Sequence, residues 1–115
     1  MKSYNHCKSS VKYFGGKEED YLAIHSWFDE SKCHFGDIRH RALRHHSQGI
    51  QECEKQFGTY IINSAGKKVI VKSIAEQHIL EDIGFIPSLK DWFKEMRPNL
   101  WMESTKLRTK KMNLA

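Results

Sequence analysis

This chain has little of what would place it in several large classes of protein. It has only three cysteines, Cys7, Cys33 and Cys53. They are odd in number, far apart and never in a C-x-x-C pair, which argues against a disulfide framework and against a zinc ribbon. No apolar run approaches the roughly 20 residues a membrane-spanning helix needs, so no membrane association is expected. The segment Met1-Lys2-Ser3-Tyr4-Asn5-His6 lacks the apolar stretch of a secretory signal, and the expected compartment is therefore the cytoplasm. No H-E-x-x-H, G-x-S-x-G or phosphate-loop motif occurs, and neither does a recognition-helix pattern or an aromatic-basic platform for single strands.

What is there fits one small domain. At 115 residues a chain buries roughly two-thirds of the surface its unfolded form exposes, enough for a true core. The net charge of +5 is concentrated at one end: residues 104–115 hold Lys106, Arg108, Lys110 and Lys111 and no acid, leaving 15 basic against 14 acidic residues elsewhere. The expected division is a domain over 1–103 and a basic tail over 104–115, read as a solvated end rather than a binding arm, able to add non-specific attraction to phosphates.

The pattern predicts a mainly α fold of about four to five helices with a small β-hairpin. Residues 3–14 read as a helix ended by Gly15-Gly16. A second helix starts at Glu18, Glu19 and Asp20, whose charges suit the positive end of its dipole, and carries a stripe of Tyr21, Ile24, Trp27 and Phe28. Asp37 is a candidate N-cap for a long third helix reaching about Gln56 and closed by Gly58. Thr59–Ile62 and Val69–Val71, joined through Asn63-Ser64-Ala65-Gly66, read as the hairpin. Ser73-Ile74-Ala75-Glu76 has the spacing of a capping box for a further helix that Gly84 ends, and this accounts for Glu76. Pro87-Ser88 opens a last short helix that Pro98 terminates. The tryptophans, with Phe28, Phe85 and Phe93, are expected in the core, with Trp101 and Met102 folding back onto it.

Against this ordinary background stand seven histidines, His6, His25, His34, His40, His45, His46 and His78, where average composition gives about two to three. His25 and Asp29 are four apart on one helix and His78 and Asp82 four apart on another, so each pair shares a face. Such a pair can offer a nitrogen and an oxygen to one metal ion, or the carboxylate can fix the tautomer of its histidine. At about 100° per residue along the expected third helix, Leu43, His46, Ile50, Cys53 and Phe57 fall within about 80° of one another, pointing His46 inward. An inward histidine needs a hydrogen-bond partner or a metal. His45 flanks it beside Arg41, and His40 lies across the helix. Arg39, Arg41 and Arg44 read either as a solvated face or as phosphate ligands, whose geometry suits guanidinium.

The strings His25-Ser26-Trp27-Phe28-Asp29-Glu30-Ser31-Lys32, Arg39-His40-Arg41-Ala42-Leu43-Arg44-His45-His46, Glu76-Gln77-His78 and Glu81-Asp82-Ile83-Gly84-Phe85-Ile86-Pro87-Ser88 resemble a family of small phage and bacterial proteins classed as a domain of unknown function. The resemblance runs from about residue 4 to residue 102 and implies a viral or prophage setting, not a mechanism. Two functions are expected, the first from the residues and the second from small size, the lack of a decisive catalytic motif and the phage-like family. One is a metal-dependent phosphoesterase acting on a nucleotide or phosphodiester. In it a divalent ion of Zn or Mn type is held by His25, Asp29, His46 and His78, and Arg41, Arg44, His45 and Asp82 carry the chemistry, Asp82 either as a further ligand or as a support behind the ligands. The other is a non-enzymatic module that binds a signalling nucleotide or a host defence protein.

Overall fold

A computed structural model describes residues 1–103, and the basic tail over 104–115 lies outside the described residues. The architecture is mainly α with one small antiparallel sheet. Helix α1 spans Ser3–Phe14 and α2 Glu19–Phe28, followed by 3-10 turns over Glu30–Cys33 and Ile38–Leu43. Then come α3 (Ser47–Phe57), β1 (Tyr60–Ile62), β2 (Lys68–Ile70), α4 (Val71–Ile83), α5 (Leu89–Lys94) and α6 (Leu100–Glu103).

Helix α4 is the centre of the packing and touches α1, α2, α3 and both strands. Its sequence explains this: Val71, Ile74, Ala75, His78, Ile79, Asp82 and Ile83 follow the helical period and form one inward stripe. The apolar members meet Tyr21, Ile24 and Phe28 of α2 and Ile50 and Cys53 of α3 in one core. His78 and Asp82 therefore stand where the pattern would put apolar residues. The same holds for His25 of α2, one residue from Ile24, and for His6 and Ser10 of α1, beside Cys7; all of these are buried.

The hairpin pairs Tyr60 with Ile70, Ile61 with Val69 and Ile62 with Lys68. Its turn is organised by Asn63, whose Oδ1 accepts from the backbone N–H of Ala65 and Lys67 while Nδ2 donates to the Phe14 carbonyl. This ties the turn to the end of α1.

Three expectations about the elements need correction. The long third helix is two pieces. His46 is fully extended (φ −164°, ψ 173°) and caps α3, its Nδ1 accepting from the Gly49 N–H at 3.0 Å. A hydrophobic period running through this stretch does not register that a histidine ring can cap a helix. Leu43, expected inside, is exposed as a result. The capping box is not at Ser73: α4 starts at Val71, straight out of β2, where the Val71 N–H donates to the Thr59 carbonyl, and Ser73 lies within the first turn. A capping box does occur at Ser88 and Asp91, opening α5. Finally, Trp101 is 67% exposed and Met102, Phe85 and Phe93 are also exposed, so these four side chains stay off the core, whereas Ile86 packs against it and Trp92 Nε1 donates to the His45 carbonyl at 2.9 Å. Among the described residues no helix is long and apolar enough to cross a membrane.

Candidate metal centre

Four side-chain atoms converge where α2, the loop before α3, and α4 meet. They are Asp29 Oδ1, His45 Nε2, His78 Nε2 and Asp82 Oδ2, all within 4.8 Å of one another. His45 Nε2 is 2.9 Å from Asp82 Oδ2 and 3.7 Å from Asp29 Oδ1. His78 Nε2 is 3.3 Å from Asp82 Oδ2 and 3.6 Å from Asp29 Oδ1. Donors placed tetrahedrally about 2.0–2.1 Å from a zinc-type ion stand roughly 3.3 Å apart. The observed separations bracket that value.

The elements deliver these residues for separate reasons. His78 and Asp82 share the inner face of α4, and Asp29 is the residue at which α2 ends. His45 is brought in by the break between the 3-10 turn and α3, where Gly49 allows the chain to pass close. A Cβ at Gly49 would collide with the Arg44 carbonyl oxygen, the residue before His45.

Two carboxylates buried side by side require compensating positive charge or hydrogen-bond donors. Asp29 Oδ1 faces His40 Nε2 at 3.2 Å and Oδ2 accepts from the Ser3 hydroxyl at 3.4 Å, with Lys32 Nζ at 3.8 Å. Asp82, whose side chain is 1% exposed, has the Met1 amine at 3.0 Å and His6 Nε2 at 3.1 Å on Oδ1, with Arg41 Nη2 at 3.7 Å. Burial would raise both carboxyl pKa values. The nearness of His78 to Asp29, and of His45 and His6 to Asp82, outweighs it and holds both well below the ordinary carboxylate range.

The histidines diverge in the same field. Burial, with His78 and His6 nearby, pushes His25 down to about 2, so it is neutral. Burial also lowers His45, more than Asp82 raises it. For His78 burial opposes protonation, but Asp29 and Asp82 prevail and its pKa is raised. Even so, His78 Nε2 has no partner in hydrogen-bonding geometry. The Nε of Arg41 and Nδ1 of His45 are likewise buried without a partner. An orphaned imidazole nitrogen aimed between two carboxylates fits a bound divalent cation, and the N and O donor set suits Zn or Mn type ions.

Of the residues singled out in the sequence, Asp29, His45, His78 and Asp82 thus come together. His25 stands one step behind, its Nδ1 2.9 Å from Nδ1 of His78, and it makes no bond to Asp29. His46 is elsewhere, with both ring nitrogens engaged in capping α3 and in donating to the Leu43 carbonyl. Arg41 lies at the edge of the cluster, 21% exposed. Arg44 does not: its guanidinium sits over the Trp27 ring at 4.0 Å and donates to the Trp27 carbonyl, with Glu30 at 3.7 Å. Arg39 is paired with Asp37.

Sequence reading missed the ring of supporting groups. His6 is wedged between Glu81 and Asp82 and stacks on His78 at 3.9 Å. Ser10 holds His25 and is itself held by Gln77. A signal existed, since His6 with Ser10 and Gln77 with Glu81 are both four apart on their helices.

The family described as Domain of unknown function (DUF6915) matches residues 1–102. The chain belongs to this family. The match ends one residue before the last described one, so it contains every residue of the cluster and every element but for the last residue of α6. No curated protein and no solved structure matches the chain.

Proposed function

We propose that this DUF6915 domain is a metal-dependent phosphoesterase, with a divalent ion of Zn or Mn type held by Asp29, His45, His78 and Asp82. The observation that carries the reading is the convergence of those four donors, with histidine-to-carboxylate separations of 2.9–3.7 Å and the Nε2 of His78 left unpartnered. When bound, such an ion lowers the pKa of a water and polarises a phosphoryl oxygen.

The chain's own residues supply the rest. Arg41 stands at the edge of the cluster, 3.7 Å from Asp82 and 21% exposed, and its unpartnered Nε can donate to an anionic oxygen, so it is the residue to hold the phosphoryl group and neutralise charge developing there. His40, His6 and Ser3 keep the two carboxylates oriented by hydrogen bonds to them. In the overall reaction one P–O bond forms to the water oxygen, the P–O bond to the leaving alcohol breaks, and one water proton ends on that alcohol. The substrate class is a nucleotide or a phosphodiester. The setting proposed with it is the cytoplasm, that of the host for a phage-encoded chain, where free thiols such as Cys7, Cys33 and Cys53 persist.

One observation favours a second reading. The side chains of all four donors are between 0% and 6% exposed, and metal sites closed by four protein ligands are commonly structural. The domain would then bind a nucleotide, or a host defence protein, without converting it. Incubating untagged, metal-loaded protein with a panel of nucleotides and phosphodiesters and analysing products by mass spectrometry tests the proposal. Metal-dependent release of a monoester, lost in Arg41→Ala, is expected; ligand bound and returned intact would overturn it in favour of the binding module.

A further inference from the structure

Gln77 fixes the direction of a chain of hydrogen bonds that ends at the cluster. Its amide nitrogen donates to the His6 carbonyl at 2.9 Å and to Glu81 Oε1 at 3.0 Å. Both of those atoms only accept, so the amide cannot be turned the other way. Its oxygen therefore faces the Ser10 hydroxyl, at 2.7 Å. A hydroxyl has one hydrogen, and at that separation it must lie between Ser10 Oγ and Gln77 Oε1. The longer 3.1 Å approach of Ser10 Oγ to the His6 carbonyl is left without it.

Ser10 Oγ, having donated, can only accept from His25 Nε2, 2.7 Å away. That puts the His25 hydrogen on Nε2 and a lone pair on Nδ1. Across from this lone pair, at 2.9 Å, is Nδ1 of His78. Two nitrogens facing each other at that distance share one hydrogen, and it belongs to His78. The reverse chain, with Ser10 donating to His25 and His25 to His78, would leave two oxygens confronting each other at 2.7 Å with nothing between them. The rings of His6 and Phe28 stack on His78 at 3.9 and 4.7 Å and hold its plane.

We infer that His25, oriented by Ser10 and Gln77, is a positioning residue that keeps the His78 hydrogen on Nδ1 and so presents Nε2 to the cluster as a metal ligand. The ligand role rests on the metal-centre reading proposed above; the tautomer does not, because it is set by hydrogen bonds that need no metal. A histidine's outer nitrogen is what fixes the tautomer of the ligating one, and loss of such a partner typically weakens metal affinity about 10–100-fold.

The test is a long-range 1H–15N correlation on 15N-histidine-labelled protein, first metal-free and then with Zn²⁺. The expected result is His25 protonated at Nε2 and bare at Nδ1, with His78 protonated at Nδ1 in both samples. His25 protonated at Nδ1 would overturn the inference. Replacing Gln77→Met removes the acceptor that directs Ser10, so the His25 preference for Nε2–H is expected to be lost and Zn²⁺ affinity, measured against a competing chelator, to fall about 10-fold. Unchanged tautomers and affinity in that variant would contradict the positioning role. Should Gln77→Met fail to fold, the wild-type tautomers alone still decide the matter. Tautomers as stated in a wild-type protein that takes up no metal would support the hydrogen-bond chain and refute the phosphoesterase reading.

Discussion

Nδ1 of His25 and Nδ1 of His78 face each other at 2.9 Å in a part of the molecule where both side chains are fully buried. Helix packing that ordinarily joins apolar side chains here joins two imidazoles through a single hydrogen. The polar cluster is therefore a continuation of the core by other means, and its energetics are coupled to folding. Several consequences can be measured.

Because His25 is held near 2, it stays neutral in the folded protein, while in the unfolded chain it takes up a proton below its ordinary value of 6.5. The unfolded state then binds more protons, so stability falls as pH is lowered from about 6.5, by up to about 1.4 kcal/mol per pH unit for one such group. His45, also lowered, adds in the same direction. His78, which is raised, acts above 6.5 instead, where its contribution is lost as pH rises. Urea unfolding at pH 6.5 and pH 5.0 should show the wild type losing stability and His25→Gln losing less. Equal slopes would mean that His25 is not the neutral group described.

Gly49 has a role that its position in a helix conceals. An added methyl would strike the Arg44 carbonyl, forcing apart the backbone that carries His45 into the cluster. Gly49→Ala is expected to destabilise by about 1–3 kcal/mol, the range for overpacking, although alanine is the better helix former. A neutral or stabilising result in thermal unfolding would show that the approach is not close.

The thiols differ sharply in access. Burial pushes Cys7 up to about 11 and Cys53 up to about 12, and both are buried, whereas Cys33 is exposed. Since the thiolate is the reactive form, iodoacetamide at pH 8 should modify Cys33 alone in the native protein and all three cysteines after unfolding. Modification of Cys53 in native protein would contradict the packing of α3 on α4.

Much of this was legible in the sequence, for physical reasons. The mainly α fold with one hairpin followed from helical periodicity, the β-branched run around Ile61 and Ile62, and glycines that do terminate helices, as Gly84 does in the left-handed conformation after α4. His78 with Asp82, and Asp29, were visible because a helix repeats its face every three to four residues. His46 was misleading for the complementary reason: a period assumes a continuous helix, and the chain breaks at His46 itself. Whether faces on different helices meet depends on packing that spacing along one helix does not encode. This is why His45 was expected to act on a substrate and not to stand among the four converging donors, while Asp82 was placed either as a ligand or behind one. The support that Ser10, Gln77 and His6 give could not be seen from α1 or α4 alone, since each bond crosses between helices.

The most direct test of the central claim is metal stoichiometry and affinity, by elemental analysis and calorimetry, on untagged protein and on Asp82→Asn. Asp82 contributes a donor while its Oδ1 also faces His6 and the Met1 amine, so its loss should remove binding and destabilise the metal-free fold by about 3–5 kcal/mol, as breaking a buried charge pair does. The expected result is about one divalent ion per chain in the wild type, the complement of a single four-donor site, and none in Asp82→Asn. Less than about 0.1 equivalent of any ion in the wild type, with no heat on adding Zn²⁺ or Mn²⁺, would contradict it, because metal affinity at a formed site is a large free energy.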